Sequence, residues 1–158
     1  MTKLAAPRAR VQPVEFSDEV AALLRASGLP SDDAGAPQVH LLGCRRSRRL
    51  TGIVGLELYG SVGLLRSLAV AESSRRRGLG QVLVARAEKV AARSGVRTLF
   101  LLTTTAADFF GRLGRPFLSA MDVANSFPAF EQSTWLVVGR RRLSRFLECR
   151  QRLGVPPQ

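Results

Sequence analysis

Six residues, Arg75-Arg76-Arg77-Gly78-Leu79-Gly80, carry the clearest chemical signal in the chain, and they follow the apolar run Leu64-Leu65-Arg66-Ser67-Leu68-Ala69-Val70. The run reads as a buried strand, and the six residues as a basic, glycine-punctuated turn that opens a helix. Such a turn is an anion site. The first N–H groups of a helix have no intrahelical partners and its N-terminus carries about half a positive elementary charge, so a phosphate there gains hydrogen bonds and dipole stabilisation together. Gly78 and Gly80 remove Cβ atoms that would hold a pyrophosphate off the backbone, while Arg75, Arg76 and Arg77 add planar donors matched to phosphate oxygens. The expected ligand is a phosphorylated cofactor.

Two familiar phosphate loops do not fit the spelling. A Walker loop needs Gly-Lys-Ser/Thr, and no Lys follows Gly78 or Gly80 before Lys89. A dinucleotide-binding turn needs a third glycine where Val82-Leu83 stand. Arg66 is a second signal, because an unpaired charge in an otherwise apolar strand is expensive and calls for a partner.

These residues must be positioned by a domain, and the 158-residue chain has the length for one with a real core. With 46% hydrophobic residues and no apolar run near the roughly 20 residues of a membrane span, it reads as a globular chain expected in the cytoplasm. The net charge of +12 favours acidic partners, namely nucleic acid, an anionic membrane or a polyphosphate cofactor. Its 24 basic residues are all arginine except Lys3 and Lys89, a bias that suits a GC-rich genome better than so many selected contacts. Residues 1–13 lack the apolar stretch of a secretory signal and read as a flexible leader. Cys44 and Cys149 are far apart and have no metal-like spacing.

Val20, Leu23 and Leu24 fall at helical spacing within residues 17–27, with Ser17 as cap and Gly28 and Pro30 as stop. Residues 39–44 and 50–58 read as strands joined by the polar turn 45–49. The short turn Tyr59-Gly60-Ser61 predicts a hairpin between residues 50–58 and 62–70. A helix then runs to Gly95, a strand covers 98–103, and Thr105-Ala106-Ala107-Asp108 spells a capping box before a short helix with Phe109, Phe110 and Leu113. Strand-helix-strand crossovers require parallel neighbours, so the expected class is α+β with α/β/α layers and a mixed, partly antiparallel sheet. Further strands are expected at 127–130 and 133–138. Residues 140–153 form a basic amphipathic stripe with six arginines, read as a terminal helix or as an attachment segment for nucleic acid or a membrane surface.

Arg-x-x-Gly-x-Gly after a strand ending Leu-Ala-Val resembles the acetyl-CoA pyrophosphate loop of the GNAT superfamily of N-acetyltransferases. The order and spacing of elements from Ser17 to Gly114 agree with that resemblance. Residues 55–60, 64–70 and 101–105 are similar to a bacterial group encoded beside arsenic-resistance genes, whereas residues 115–158 diverge from its usual ending. The resemblance implies a sheet splayed at the cofactor strand, acetyl-CoA as donor, and a primary amine that attacks the thioester without an enzyme-bound acyl group.

By the same resemblance, the backbone of Leu68, Ala69 and Val70 pairs with the pantetheine arm, and Arg75, Arg76, Arg77, Gly78, Leu79, Gly80 and Gln81 hold the pyrophosphate. Thr104 and Phe110 fall beside the cofactor. Phe110 stands where many members have a tyrosine that protonates the leaving thiolate, and Thr103 and Thr104 are substitutes by position. An ammonium must lose a proton before it can attack. Among the acids between Ser17 and Gly114, only Glu57 lies in a strand bordering the expected cleft. Two readings of Glu57 stand: the catalytic base, or the ion-pair partner of Arg66. Arg66 and Tyr59 are the candidate acceptor contacts, Arg66 through an anionic group on the acceptor. His40 and Trp135 receive no role.

The leading expectation is an acetyl-CoA-dependent N-acetyltransferase acting on a small, amino-acid-like or toxic amine, including arsenic or phosphorus analogues. The alternatives are a catalytically silent basic binding module and a protein or peptide N-acetyltransferase. A homodimer is compatible with either class, and nucleic acid is the less favoured partner.

Overall fold

The computed structural model describes residues 9–60, 62–96, 98–103 and 134–139, which divide into two compact units. Residues 9–55 and 67–87 form the first; 56–60, 62–66, 88–96, 98–103 and 134–139 form the second. Strand order in the sheet follows the chain: β1 (Val11–Val14), β2 (Val39–Arg46), β3 (Arg49–Tyr59), β4 (Val62–Val70), β5 (Thr98–Thr103) and β6 (Thr134–Gly139). Helix α1 (Asp18–Ala26) follows β1, and α2 (Leu79–Arg93) connects β4 to β5. This is the mixed α+β arrangement expected from the sequence. No helix among the described residues is long and apolar enough to cross a membrane.

In the first unit, α1 starts where Ser17 Oγ accepts the Val20 N–H at 3.4 Å, and Val20, Ala21 and Leu24 form its buried face. The helix stops at Gly28, with the Leu29 N–H returning to the Leu24 carbonyl at 2.9 Å. The leader expectation is corrected at its end. Residues 11–14 pair antiparallel with β2, Val11 opposite Cys44 and Pro13 opposite Leu42. Strand β1 is at the edge of the sheet, where a proline is tolerated because an edge strand can do without one outward N–H.

The core of this unit joins Val20, Leu24, Ala34, Leu41, Leu50, Ile53 and Ala69. Leu50 and Ile53 are three residues apart, yet both enter this core beside α1. Strand alternation therefore slips by one residue between them, as at a β-bulge. Gly52 then points to the opposite face, where a Cβ would stand 2.8 Å from Leu83 Cδ1 and 3.1 Å from Leu79 Cδ2. Helices α1 and α2 thus cover opposite faces of the unit. Gly52 permits the close approach of α2.

The β2–β3 connection is the two-residue turn Ser47-Arg48, with φ of 49° and 69°. Two positive φ values give a turn whose twist suits a hairpin, at a steric cost for residues that are not glycine. Glu19 braces it. Its Oε1 accepts the Leu50 N–H at 2.8 Å and its Oε2 accepts from Arg45 Nη1 at 2.6 Å, while Arg45 Nη1 also donates to the Arg48 carbonyl at 2.9 Å. The Leu50 N–H, then Arg45, hold the Glu19 carboxyl below its ordinary range.

In the second unit, β3 and β4 are joined through Gly60 and residue 61, a link that only antiparallel neighbours can use. Strand β4 pairs parallel with β5 from Val62↔Thr98 to Leu65↔Leu101, and β5 pairs antiparallel with β6 from Thr98↔Gly139 to Thr103↔Thr134. Leu56 and Leu65 are fully buried, and Leu99 nearly so. The strand expected at 133–138 is β6. The capping box at 105–108, the short helix with Phe109 and Phe110, the strand at 127–130 and the stripe at 140–153 lie outside the described residues.

Candidate functional site

The basic turn is built at one end of the first unit. Strand β4 delivers Leu68, Ala69 and Val70 to this end, and the Ala71 N–H donates to the Thr51 carbonyl at 2.8 Å, fastening the exit of β4 to the start of β3. A short 3₁₀ helix, Glu72–Ser74, leads into Arg75, whose Nε donates back to the Val70 carbonyl at 3.0 Å. Arg75 thus braces the turn as well as lending it charge. Arg75, Arg76, Arg77 and Gly78 are all exposed.

Arg76 and Gly78 take the left-handed conformation, at φ of 62° and 77°. Nothing lies within 4 Å of a Cβ built on Gly78, so the residue leaves open space where a larger ligand group can approach the backbone. Helix α2 starts directly afterwards, its first turn closed by Val82 N–H to the Gly78 carbonyl at 3.2 Å. The N–H groups of Leu79, Gly80 and Gln81 precede that bond and are the natural donors to an anion. Leu79 and Leu83, packed under Gly52, fix the direction of the helix. Open backbone, helix N-terminus and three exposed guanidinium groups form a cradle that fits a pyrophosphate.

Ser67 is a further device, which the sequence reading did not single out. It sits in the middle of β4 at φ 55°, a conformation disfavoured for a residue with a side chain. Among the described residues the β4–β5 ladder ends at Leu65↔Leu101, just before it, while Leu102 and Thr103 of β5 continue only to Trp135 and Thr134 of β6. No glycine marked the spot, so composition could not reveal it.

The second unit holds the acidic candidate. Glu57 is 6% exposed, and its Oε1 accepts from Arg66 Nη1 at 2.8 Å. Its Oε2 accepts a short hydrogen bond from the Tyr59 hydroxyl, Tyr59 lying two residues on and so on the same face of β3. The ion-pair reading of Glu57 and Arg66 is therefore realised, and Glu57 supplies the counter-charge that Arg66 requires. Burial, and then the Glu57 hydrogen bond and charge, push the Tyr59 phenol up to about 12, opposed by Arg66. Tyr59 is half-buried and forms the more open end of the cluster. Thr104 and Phe110 lie outside the described residues, as does the side chain of Thr103.

The model of the acetyltransferase (GNAT) family matches residues 8–114, from β1 through the basic turn and beyond β5. The chain belongs to the GNAT acetyltransferase family. An uncharacterized N-acetyltransferase of Chlorobaculum tepidum is 46% identical over 50 residues, which are 32% of this chain and 32% of that protein. The N-acetylglutamate synthase of Neisseria gonorrhoeae, solved with coenzyme A and L-arginine, superposes with a TM-score of 0.66 at 20% identity over 85% of this chain and 34% of its own. The GNAT chain thus spans about a third of the length of these two relatives. A Bacillus subtilis acetyltransferase solved with CoA superposes with a TM-score of 0.65 at 18% identity, over 85% of this chain and all of its own. These likenesses show the GNAT fold, and acetyl-CoA is the donor of the family.

Proposed function

We propose that residues 1–158 act as one N-acetyltransferase domain that uses acetyl-CoA to acetylate the primary amine of a small, amino-acid-like acceptor. The turn between β4 and α2 carries this reading, since its open glycine, free helix donors and exposed arginines answer the needs of a pyrophosphate. Acetyl-CoA, when bound, would supply the thioester carbonyl that the amine attacks, the C–N bond forming as the C–S bond breaks and coenzyme A leaving as the thiolate, which takes up the second proton that the nitrogen loses on becoming an amide. Gly78, Leu79, Gly80 and Gln81 hold the pyrophosphate through backbone N–H groups, and Arg75, Arg76 and Arg77 balance its charge. The backbone of Leu68, Ala69 and Val70 pairs with the amide groups of the pantetheine arm as an added strand.

Glu57 and Tyr59 release the acceptor amine from its proton. The ammonium gives a proton to the Tyr59 oxygen while the Tyr59 hydroxyl proton passes to Glu57 Oε2, the other carboxyl oxygen being held by Arg66. The likeness to the arsenic-resistance group makes toxic amino-acid analogues the first acceptors to assay. Location in the cytoplasm and a homodimer belong to the same proposal.

Isothermal titration with acetyl-CoA tests it. Binding is expected in the micromolar to millimolar range, weakened at least about tenfold by Gly78→Glu or Gly80→Glu, which place a carboxylate and a side chain in the cradle. Absence of binding, or affinity indifferent to both substitutions, overturns the proposal.

A further inference from the structure

Arg46 and Arg49 flank the two-residue Ser47-Arg48 turn, and closing residues of such a turn stand directly opposite each other. Two like charges in that position repel. Arg45 reaches Glu19 of α1, so its neighbour Arg46 lies on the other face of the sheet; Leu50 packs in the α1 core, so Arg49 lies on that other face too. This is the face that α2 covers, since Gly52 meets Leu79 and Leu83 there. Arg49 precedes Gly52 by three residues, about 10 Å of strand. The Ala71 N–H to Thr51 carbonyl bond fixes the same end of the unit to the start of the basic turn.

Both guanidinium groups are exposed, and neither meets a carboxylate among the described residues. Arg45, in contrast, is neutralised by Glu19. Two opposed arginines with no carboxylate partner among the described residues, beside the basic turn, form a fork suited to a divalent anion. Coenzyme A carries one, a ribose 3′-phosphate separated from the pyrophosphate by a single sugar.

We propose that Arg46 and Arg49 bind the ribose 3′-phosphate of coenzyme A, so that the β2–β3 turn distinguishes the cofactor from its dephosphorylated form. This inference rests on the cofactor reading above. The phosphate monoester relieves the repulsion between the two arginines and gains charge-assisted bonds from both.

The test is titration of coenzyme A and dephospho-coenzyme A into the full chain and into Arg46→Gln, Arg49→Gln and the double variant, each checked for unchanged thermal unfolding. Wild type should prefer coenzyme A by about tenfold, and the double variant should lose that preference while keeping its affinity for the dephospho form. An equal preference in wild type and double variant overturns the inference and leaves the cofactor reading standing. If neither compound binds, both fall. Should the substitutions leave the preference intact but weaken binding of a single-stranded oligonucleotide, the fork is a nucleic-acid contact and the inference is wrong.

Discussion

Tyr59 joins the stability of this protein to its chemistry. Its hydroxyl donates to a buried carboxylate that Arg66 also holds, so it connects a half-buried surface to an interior charge pair. With the phenol raised from an ordinary value of 10.0 to about 12, the unfolded chain ionises first as pH rises. The stabilisation is complete below pH 10 and is lost toward about pH 12. Thermal unfolding of wild type should therefore fall across that interval, and Tyr59→Phe should remove this contribution to the decline. In the proposed relay the same substitution also breaks the proton path, lowering kcat by about 10²-fold or more with a smaller effect on KM. Full activity of Tyr59→Phe at neutral pH would remove Tyr59 from the relay, and full activity of Glu57→Gln would remove Glu57. The acid was readable from the sequence as the one strand carboxylate near Arg66. Whether the two would meet was not, because which face Glu57 takes relative to β4 depends on hairpin register, and a one-residue slip reverses it.

Helix α2 matters to the site through where it begins. Its N-terminal donors point from a helix seated on β3 by Leu79 and Leu83, and the seat exists because Gly52 has no side chain. Gly52→Val should lift this seat, costing about 1–3 kcal/mol as overpacking and weakening acetyl-CoA binding with it. Chemical denaturation and titration check both effects, and unchanged values in both would refute the role of this contact. Much of the element plan was legible: Ser17, Gly28 and Gly95 marked helix ends, and the Gly60 link marked a hairpin. Strand β1 was missed because four residues containing a proline carry little periodicity, and its pairing with β2 is long-range. Ser67 was missed because nothing in its residue type demands positive φ.

At the scale of the whole molecule, a net charge of +12 acts on every anionic ligand. Because the turn arginines are exposed, their attraction for the cofactor is open to screening. Raising salt from about 0.01 M to about 1 M shortens the screening length from about 30 Å to about 3 Å, and coenzyme A affinity should fall several-fold. Affinity that is flat across this range would assign binding to backbone and apolar contacts alone. The sequence by itself determined the family, the α+β class and the place of the phosphate turn, since these follow from local spacing: strand, glycines, arginines and helix within a short run. Only the tertiary structure decided that Glu57 meets both Arg66 and Tyr59, that Gly52 seats α2, and that Arg46 and Arg49 stand together on one face. Those facts depend on register, on a slip in strand alternation and on approach between residues distant in the chain, which local spacing does not specify.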